Sequence, residues 1–198
     1  MPGEENFRRP FDRPAGSRTL RGAPAAPVRE VEIKTFRFAD DGKVPNHPRW
    51  PLLLYPQVLR PAGEDAAALF ESVFAGNGWG GMWRDGVYPY VHYHSRIHEA
   101  LGIVRGRARL RFGGESGAEI AVAAGDVAVL PAGTGHQRLE ASADFLVVGA
   151  YPPEGEYDLC RTDAPADRDR ALQTIPQVPK PRSDPLFGAG GPLTRIWE

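Results

Sequence analysis

Short apolar segments separated by turn residues fill the middle of this chain, and they constrain its fold more than any other feature. Glycine and proline are abundant, with 23 and 20 residues of 198. Alternating apolar and polar residues over short runs are typical of half-buried strands. Such runs lie at 88–94, 99–105, 107–112, 118–123, 127–130, 136–141 and 145–151. The sequence therefore predicts an all-β domain rather than a helix bundle.

The chain before residue 88 divides into a tail, a strand, an extended segment and a helix. Residues 1–30 contain six arginines and five prolines with few large apolar groups, which predicts a flexible tail. Alternation over 31–38 predicts the first strand, and four prolines over 45–56 favour an edge strand or an extended arm. Apolar residues at helical spacing over 66–74 predict one short helix, which packs into the core.

The C-terminal part, after about residue 155, is rich in proline and is expected to be an arm that packs on the barrel. It contains one possible helix over 166–174 and a strand-like end over 192–197. Phe187 and Trp197 are the large apolar residues expected to anchor it. The predicted domain division is thus a tail at 1–30, a barrel at 31–155 and an arm at 156–198.

Charge and composition exclude several classes of function. The 24 basic and 25 acidic side chains give a net charge of −1, whereas nucleic-acid binders carry a basic excess. No apolar run approaches the roughly 20 residues that cross a bilayer, and no secretory signal precedes the core. Cys160, the single cysteine, cannot form an internal disulfide. We therefore expect a cytoplasmic protein with neither nucleic-acid nor membrane partners.

Four of the five histidines lie within 45 residues of the β-rich region. His92 and His94 are two residues apart, so on a strand they project from one face. Glu99 opens the next strand and can return its carboxylate beside them. Two imidazoles and one carboxylate form a facial triad, which suits Fe(II) or, with a further imidazole, Mn, Ni, Cu or Zn. A fourth ligand would have to come from farther along the chain.

The spacing of these residues resembles the cupin superfamily. Gly86, His92, His94, Glu99 and Gly106 match the first cupin motif without a gap, and the second motif is matched by Gly125, Pro131, Gly133 and His136. The resemblance implies a double-stranded β-helix, or jelly-roll barrel, in which His136 joins the first three ligands on a divalent metal ion. Cupins commonly pair, so the resemblance also implies a homodimer. The residue pattern of segments 94–102, 113–114 and 145–152 resembles that of the small bacterial YjlB-like subgroup of cupins.

Other residues near the motifs have two interpretations. Glu140 stands where the second motif usually ends in Asn, and its parity with His136 predicts an inward direction; it is either an acid or base near the ion, or a paired or rim residue. His98 could replace a ligand or protonate a substrate, but because it directly precedes Glu99 it should face the opposite side of the strand, which favours a structural or surface role. Tyr90 is a weak candidate for proton transfer. The aromatic side chains either line the pocket mouth or belong to the core: Trp79, Trp83, Tyr88, Tyr90 and Phe112.

Three functions fit this predicted site. The first is a metal-dependent enzyme, most simply a dioxygenase, that acts on a small organic substrate chelated by the ion. The second is a redox-neutral isomerase or decarboxylase, in which Glu140 or Tyr90 moves a proton. The third is a metal-stabilised module that binds a small ligand without turnover.

Overall fold

Two antiparallel β-sheets face each other in the computed structural model, which describes residues 28–198. The strands are β1 (Lys34–Phe36), β2 (Leu52–Tyr55), β3 (Gly80–Asp85), β4 (His92–Tyr93), β5 (Glu99–Arg105), β6 (Arg107–Phe112), β7 (Ala118–Ala123), β8 (Val127–Leu130), β9 (His136–Ala141), β10 (Leu146–Tyr151) and β11 (Cys160–Arg161). The helices are α1 (Ala66–Gly76), α2 (Pro165–Thr174) and α3 (Pro192–Ile196), and a 3₁₀ turn spans Ile175–Gln177. The six-stranded sheet has the order β1-β2-β8-β5-β10-β3, and the five-stranded sheet has the order β11-β4-β9-β6-β7.

The space between the sheets is filled by alternate residues of both. On β6 the residues Ala108, Leu110 and Phe112 are buried, while the arginines between them lie on the outer side. Leu101 and Ile103 of β5 belong to the same apolar cluster from the opposite sheet. The predicted jelly-roll barrel is confirmed, because inner faces filled by alternating residues are its defining feature.

Helix α1 covers the outer face of the six-stranded sheet. Asp65 caps its N-terminus by accepting a hydrogen bond of 3.3 Å from the amide of Ala68, which satisfies a free donor of the first turn. Phe70 and Phe74 pack over Gly102 so closely that a Cβ there would lie 2.4 Å from the Phe70 ring. The single N-terminal-side helix is therefore confirmed, and Gly102 gives it room to approach β5.

The C-terminal arm is held on the barrel by aromatic stacking and one buried carboxylate. Trp197 is fully buried, stacks on Trp50 with ring centroids 5.3 Å apart, and donates its indole proton to the Pro51 carbonyl over 2.8 Å. Asp184 is also fully buried and accepts a 2.6 Å hydrogen bond from the Tyr55 hydroxyl. The anchoring role expected of Trp197 is confirmed, and Phe187 packs on the same cluster.

Two expectations for individual segments are wrong. The end of the arm over 192–197 forms helix α3 rather than a strand, because Pro192 favours a first helical turn and Asp184 accepts from the amide of Leu193 over 2.9 Å. Strand β2 lies between β1 and β8 rather than at an edge. Its flanking prolines, Pro51 and Pro56, fall outside the four strand residues and remove no ladder donor.

The run at 88–94 and the glycine-rich stretch before it also differ from expectation. Only His92 and Tyr93 of that run form a strand, although the Tyr88 carbonyl still accepts from the amide of Arg138 over 2.9 Å. The glycine-rich stretch at 76–86, where no strand was predicted, contains β3, which pairs with β10. In this strand pair the Trp83 ring of β3 lies directly over Gly149 of β10, where a larger residue would clash with it.

The ends of the chain complete the description. The predicted tail lies outside the described residues except for 28–30. Strand β11, from the predicted arm, pairs with β4 and so extends the five-stranded sheet. In the part of the chain that the structure describes, the helices are too short and too polar to cross a membrane.

The stacking of Trp197 predicts a large loss of stability when this side chain is removed. Trp197→Ala should lower the free energy of unfolding by about 3–5 kcal/mol, because it leaves a cavity beside Trp50 and an unpaired carbonyl at Pro51. Urea denaturation measures this. The control is Leu172→Ala on α2, where the side chain is 42% exposed and the expected change is within about 0.5 kcal/mol. Equal effects for the two variants would contradict the anchoring role.

His47 predicts a specific weakening of the fold in acid. Burial, assisted by the charge of Arg49, lowers the pKa of His47 to about 4 from its usual value of 6.5. As pH falls below 6.5 the unfolded chain therefore binds a proton that the folded chain does not, and stability is lost down to pH 4. This group should contribute a loss of about 2 kcal/mol between roughly pH 7 and pH 5. Urea denaturation should show a smaller drop for His47→Gln, and an equal drop would contradict the assignment.

Candidate metal centre

Three histidines meet inside the barrel where β4 and β9 lie side by side. His92 and His136 are directly opposite in the ladder, with ring centroids 3.9 Å apart. His94 follows β4, and its ring centroid lies 5.6 Å from that of His136. One nitrogen of each ring lies within 4.8 Å of the other two, and all three side chains are buried. A set of imidazole nitrogens this close can share one metal ion.

Glu99 brings a carboxylate to the same point from the opposite sheet. Its Oε2 lies 3.4 Å from His94 Nε2 and 3.3 Å from His136 Nε2, and its side chain is 3% exposed. Despite these distances, Oε2 has no properly aligned hydrogen-bond partner among residues 28–198. A buried carboxylate oxygen without a partner is costly, so a cation at this point would be strongly favoured.

The pKa shifts of the buried groups also indicate that a positive charge is favourable at this site. Burial alone would raise the pKa of Glu99, but His94 and His136 outweigh it and hold this pKa below its usual value. Burial would lower the pKa of His94, but the charge of Glu99 outweighs it and raises this pKa. Burial and the neighbouring imidazoles lower the pKa of His92. A proton can satisfy one histidine beside Glu99, whereas a divalent ion satisfies all four groups at once.

The backbone fixes which nitrogen of each ring faces the centre. His92 Nδ1 donates to the Tyr90 carbonyl over 3.2 Å, and His136 Nδ1 donates to the Thr134 carbonyl over 3.1 Å. His94 Nδ1 donates to the Asp158 carbonyl. With Nδ1 protonated in each ring, the lone pair stands on Nε2 and points inward, which is the usual arrangement of metal-ligating histidines.

Asp158 ties the C-terminal part of the chain to this centre. Its carboxylate accepts from the amide of Ser95 over 2.9 Å and from the Ser95 hydroxyl over 2.6 Å, and its carbonyl accepts from His94. The segment before β11 is therefore fixed directly on the loop that carries His94. No sequence pattern points to Asp158, because the residue lies in no motif and is separated from His94 by 64 positions.

Aromatic side chains surround the four polar groups. Tyr151 accepts a 2.9 Å hydrogen bond from the indole of Trp83, and the ring of Tyr157 lies 5.1 Å from that of His94. Tyr88 stacks on Tyr90 at 4.9 Å and contacts His92 edge-on at 5.0 Å. These rings make an apolar wall with few polar atoms, as in most small-molecule sites. Tyr151 and Tyr157 lie outside the motifs, and the sequence reasoning missed both.

Of the aromatic residues with two interpretations, Trp79 and Phe112 belong to the core, whereas Tyr90 lies beside Tyr88 and His92. Trp79 packs in the cluster outside the six-stranded sheet, and Phe112 is a fully buried residue of the barrel interior. Tyr90 is half-buried, with the Arg161 guanidinium 4.5 Å above its ring.

Glu140 does not point into the barrel, which corrects the parity argument. Arg111 and Leu110 lie opposite Gln137 and Arg138, but Arg109 lies opposite Glu140, so Leu139 is an extra residue in a β-bulge. A bulge reverses the alternation beyond it. Glu140 is consequently 70% exposed and pairs with Arg109 on the outer surface.

His98 serves the structure, as expected from its parity. It is fully buried on the side of the sheet opposite Glu99, where its Nδ1 accepts from the amide of Ala132 over 2.9 Å. Its Nε2 lies 3.1 Å from the Pro179 carbonyl of the arm.

Comparison with known proteins places the chain in a family. The chain is 44% identical over 168 residues to the uncharacterized protein YjlB of Bacillus subtilis (strain 168), which covers 85% of this chain and 98% of that protein. No family model matches the chain.

Solved structures give weaker likenesses. Acireductone dioxygenase from Bacillus anthracis with a cadmium ion is 19% identical, with a TM-score of 0.31, over 45% of this chain and 61% of that one. A mutant of Bacillus subtilis oxalate decarboxylase is 17% identical, with a TM-score of 0.34, over 57% of this chain and 28% of that one. The chain thus spans less than two thirds of either protein.

Family membership rests on the YjlB protein of Bacillus subtilis, which this chain matches over 98% of that protein's length. Each of the two motifs runs from one sheet of the jelly-roll barrel to the other, and together they bring His92, His94, Glu99 and His136 to one point. The chain belongs to the YjlB family, within the cupin superfamily.

Proposed function

We propose that this cupin binds one divalent metal ion through His92, His94, Glu99 and His136, and that it is a dioxygenase-like enzyme acting on a small organic substrate. The observation that carries the proposal is the buried Glu99 Oε2, which faces two imidazole nitrogens and has no hydrogen-bond partner in the described chain. A divalent cation resolves this arrangement, and three nitrogens with one oxygen are a donor set that Fe, Mn, Ni and Zn accept.

The ion, when bound, would act as a Lewis acid and, if it is redox-active, would exchange electrons with dioxygen. The protein holds the donors rigid, since each histidine is fixed at Nδ1 by a backbone carbonyl. Burial of all four groups keeps competing water away. Four protein ligands leave about two positions of an octahedral ion for a substrate.

The aromatic wall supports a small and partly apolar substrate. Trp83 fixes the Tyr151 hydroxyl oxygen, so the phenol is held in one orientation at the side of Glu99. Burial and the charge of Glu99 raise the pKa of Tyr151, which keeps this phenol protonated. Tyr151 can therefore donate a hydrogen bond to a substrate oxygen but does not act as a base.

Removal of one histidine should remove most of the bound metal. His136→Ala should lose most of the metal, because it deletes a nitrogen donor and leaves Glu99 without one of its two neighbours. The measurement is elemental analysis of protein purified without an affinity tag, in which the wild type should hold about one equivalent.

The matched control for this variant is His98→Gln. His98 adjoins Glu99 in sequence but faces the other side of the sheet, so its replacement should lower stability and leave the metal content unchanged. Circular dichroism of both variants verifies that the barrel is folded. Full metal occupancy in His136→Ala, or loss of metal in His98→Gln, would contradict the ligand assignment.

The dependence of turnover on oxygen separates the reaction types. A dioxygenase should consume dioxygen in step with the substrate, and turnover should stop under anaerobic conditions and in His136→Ala. An oxygen electrode with a panel of small acids, thiols and diols measures this. Turnover without oxygen would favour the redox-neutral isomerase or decarboxylase. Ligand-induced stabilisation without turnover would favour the binding module.

A further inference from the structure

Arg138 lies on the inner side of β9, two residues beyond His136. The two residues precede the bulge at Leu139, so they project from the same face, with Cα atoms about 7 Å apart. Opposite Arg138 in the ladder is Leu110, a fully buried residue of the barrel interior. The arginine is half-buried, and its Nη1 lies 3.9 Å from the place that a Cβ on Gly86 would occupy. Its guanidinium therefore lies beside Gly86, directly after the end of β3.

The guanidinium has no carboxylate partner within the described residues, 28–198. Arg109 and Arg111, on the outer side of neighbouring β6, both pair with Glu119 although they are exposed. The nearest acidic residues along the chain are engaged elsewhere: Glu140 pairs with Arg109 outside the barrel, and Asp85 accepts from the amide of Gly86. Partial burial of an unpaired guanidinium is unfavourable, so an anion at this place would be bound favourably.

Tyr88 connects this guanidinium to the metal centre. Its carbonyl accepts from the amide of Arg138, and its ring contacts His92 edge-on at 5.0 Å. The ring of Tyr90 stacks on that of Tyr88 and also contacts His92 edge-on at 5.7 Å. A molecule that reaches from the imidazoles to Arg138 would thus lie along an aromatic surface.

We propose that Arg138 is a substrate-binding residue that takes the carboxylate of a small organic acid whose other end lies at the metal centre. This inference rests on the proposed function and names its substrate class. The planar guanidinium matches a carboxylate through two parallel hydrogen bonds. A phosphate is a poorer fit, because the other cation near the mouth, Arg161, is already paired with Asp163.

The test is calorimetric titration of the full-length, metal-loaded protein with succinate and glutarate, and with their uncharged diamides. The diacids should bind with dissociation constants of about 10 mM or lower, and the diamides at least about tenfold more weakly. Arg138→Gln should weaken diacid binding about tenfold or more, and elemental analysis should show unchanged metal content.

Arg107→Gln is the matched control. Arg107 is an exposed residue of β6 that also forms no ion pair within the described chain, so the variant loses the same charge outside the barrel. It should bind the diacids as the wild type does. Inorganic phosphate, titrated in parallel, should bind more weakly than either diacid.

Several results would overturn the proposal. They are equal binding of diacids and diamides, no diacid binding by the wild type, unchanged binding in Arg138→Gln, or tighter binding of phosphate. The comparison of diacid with diamide needs no variant, so the proposal stays falsifiable if Arg138→Gln does not fold. A wild type without metal would instead contradict the proposed function, and the same titrations would still judge Arg138.

Discussion

A carboxylate buried among imidazoles is the interaction around which this molecule is arranged. Glu99 stands at the start of β5 in the six-stranded sheet, whereas His136 belongs to the other sheet and His94 directly follows β4 of that sheet. The contacts of 3.3–3.4 Å between them therefore cross the barrel. They form only if both sheets keep their spacing and register, which the apolar cluster between the sheets maintains. Folding and the formation of the donor set are thus one event.

The sequence predicted most of the barrel and the convergence of the four donor groups. Strands β5, β6, β7, β8 and β9 have the predicted bounds, because each is a regular alternation between clear turns. The meeting of the four side chains was predicted in two ways. Strand alternation places His92 and His94 on one face, and the spacing of the cupin motifs brings Glu99 and His136 to them. These predictions needed only local periodicity and the resemblance to cupins.

The failures occurred where distant contacts decide the local structure. The bulge at Leu139 is invisible in a parity argument, and it turned Glu140 outward. Helix α3 forms because Asp184 accepts from the amide of Leu193, a contact that no strand-like pattern reveals. Strand β3 is rich in glycine and forms because Trp83 packs over Gly149. Asp158 escaped notice because its partners, Ser95 and His94, lie more than 60 positions away.

Asp158 gives the assembly of this protein an order in time. All four donor groups precede residue 137 in the chain, yet the acceptor for His94 Nδ1 is the carbonyl of residue 158. During synthesis from the N-terminus, the barrel strands that carry the donors emerge first, and His94 has neither its carbonyl anchor nor the Asp158 hydrogen bonds at Ser95 until the following segment arrives. The segment around Asp158 therefore emerges after the four polar groups of the site, and His94 and Ser95 gain these hydrogen-bond partners only when that segment has docked on the barrel.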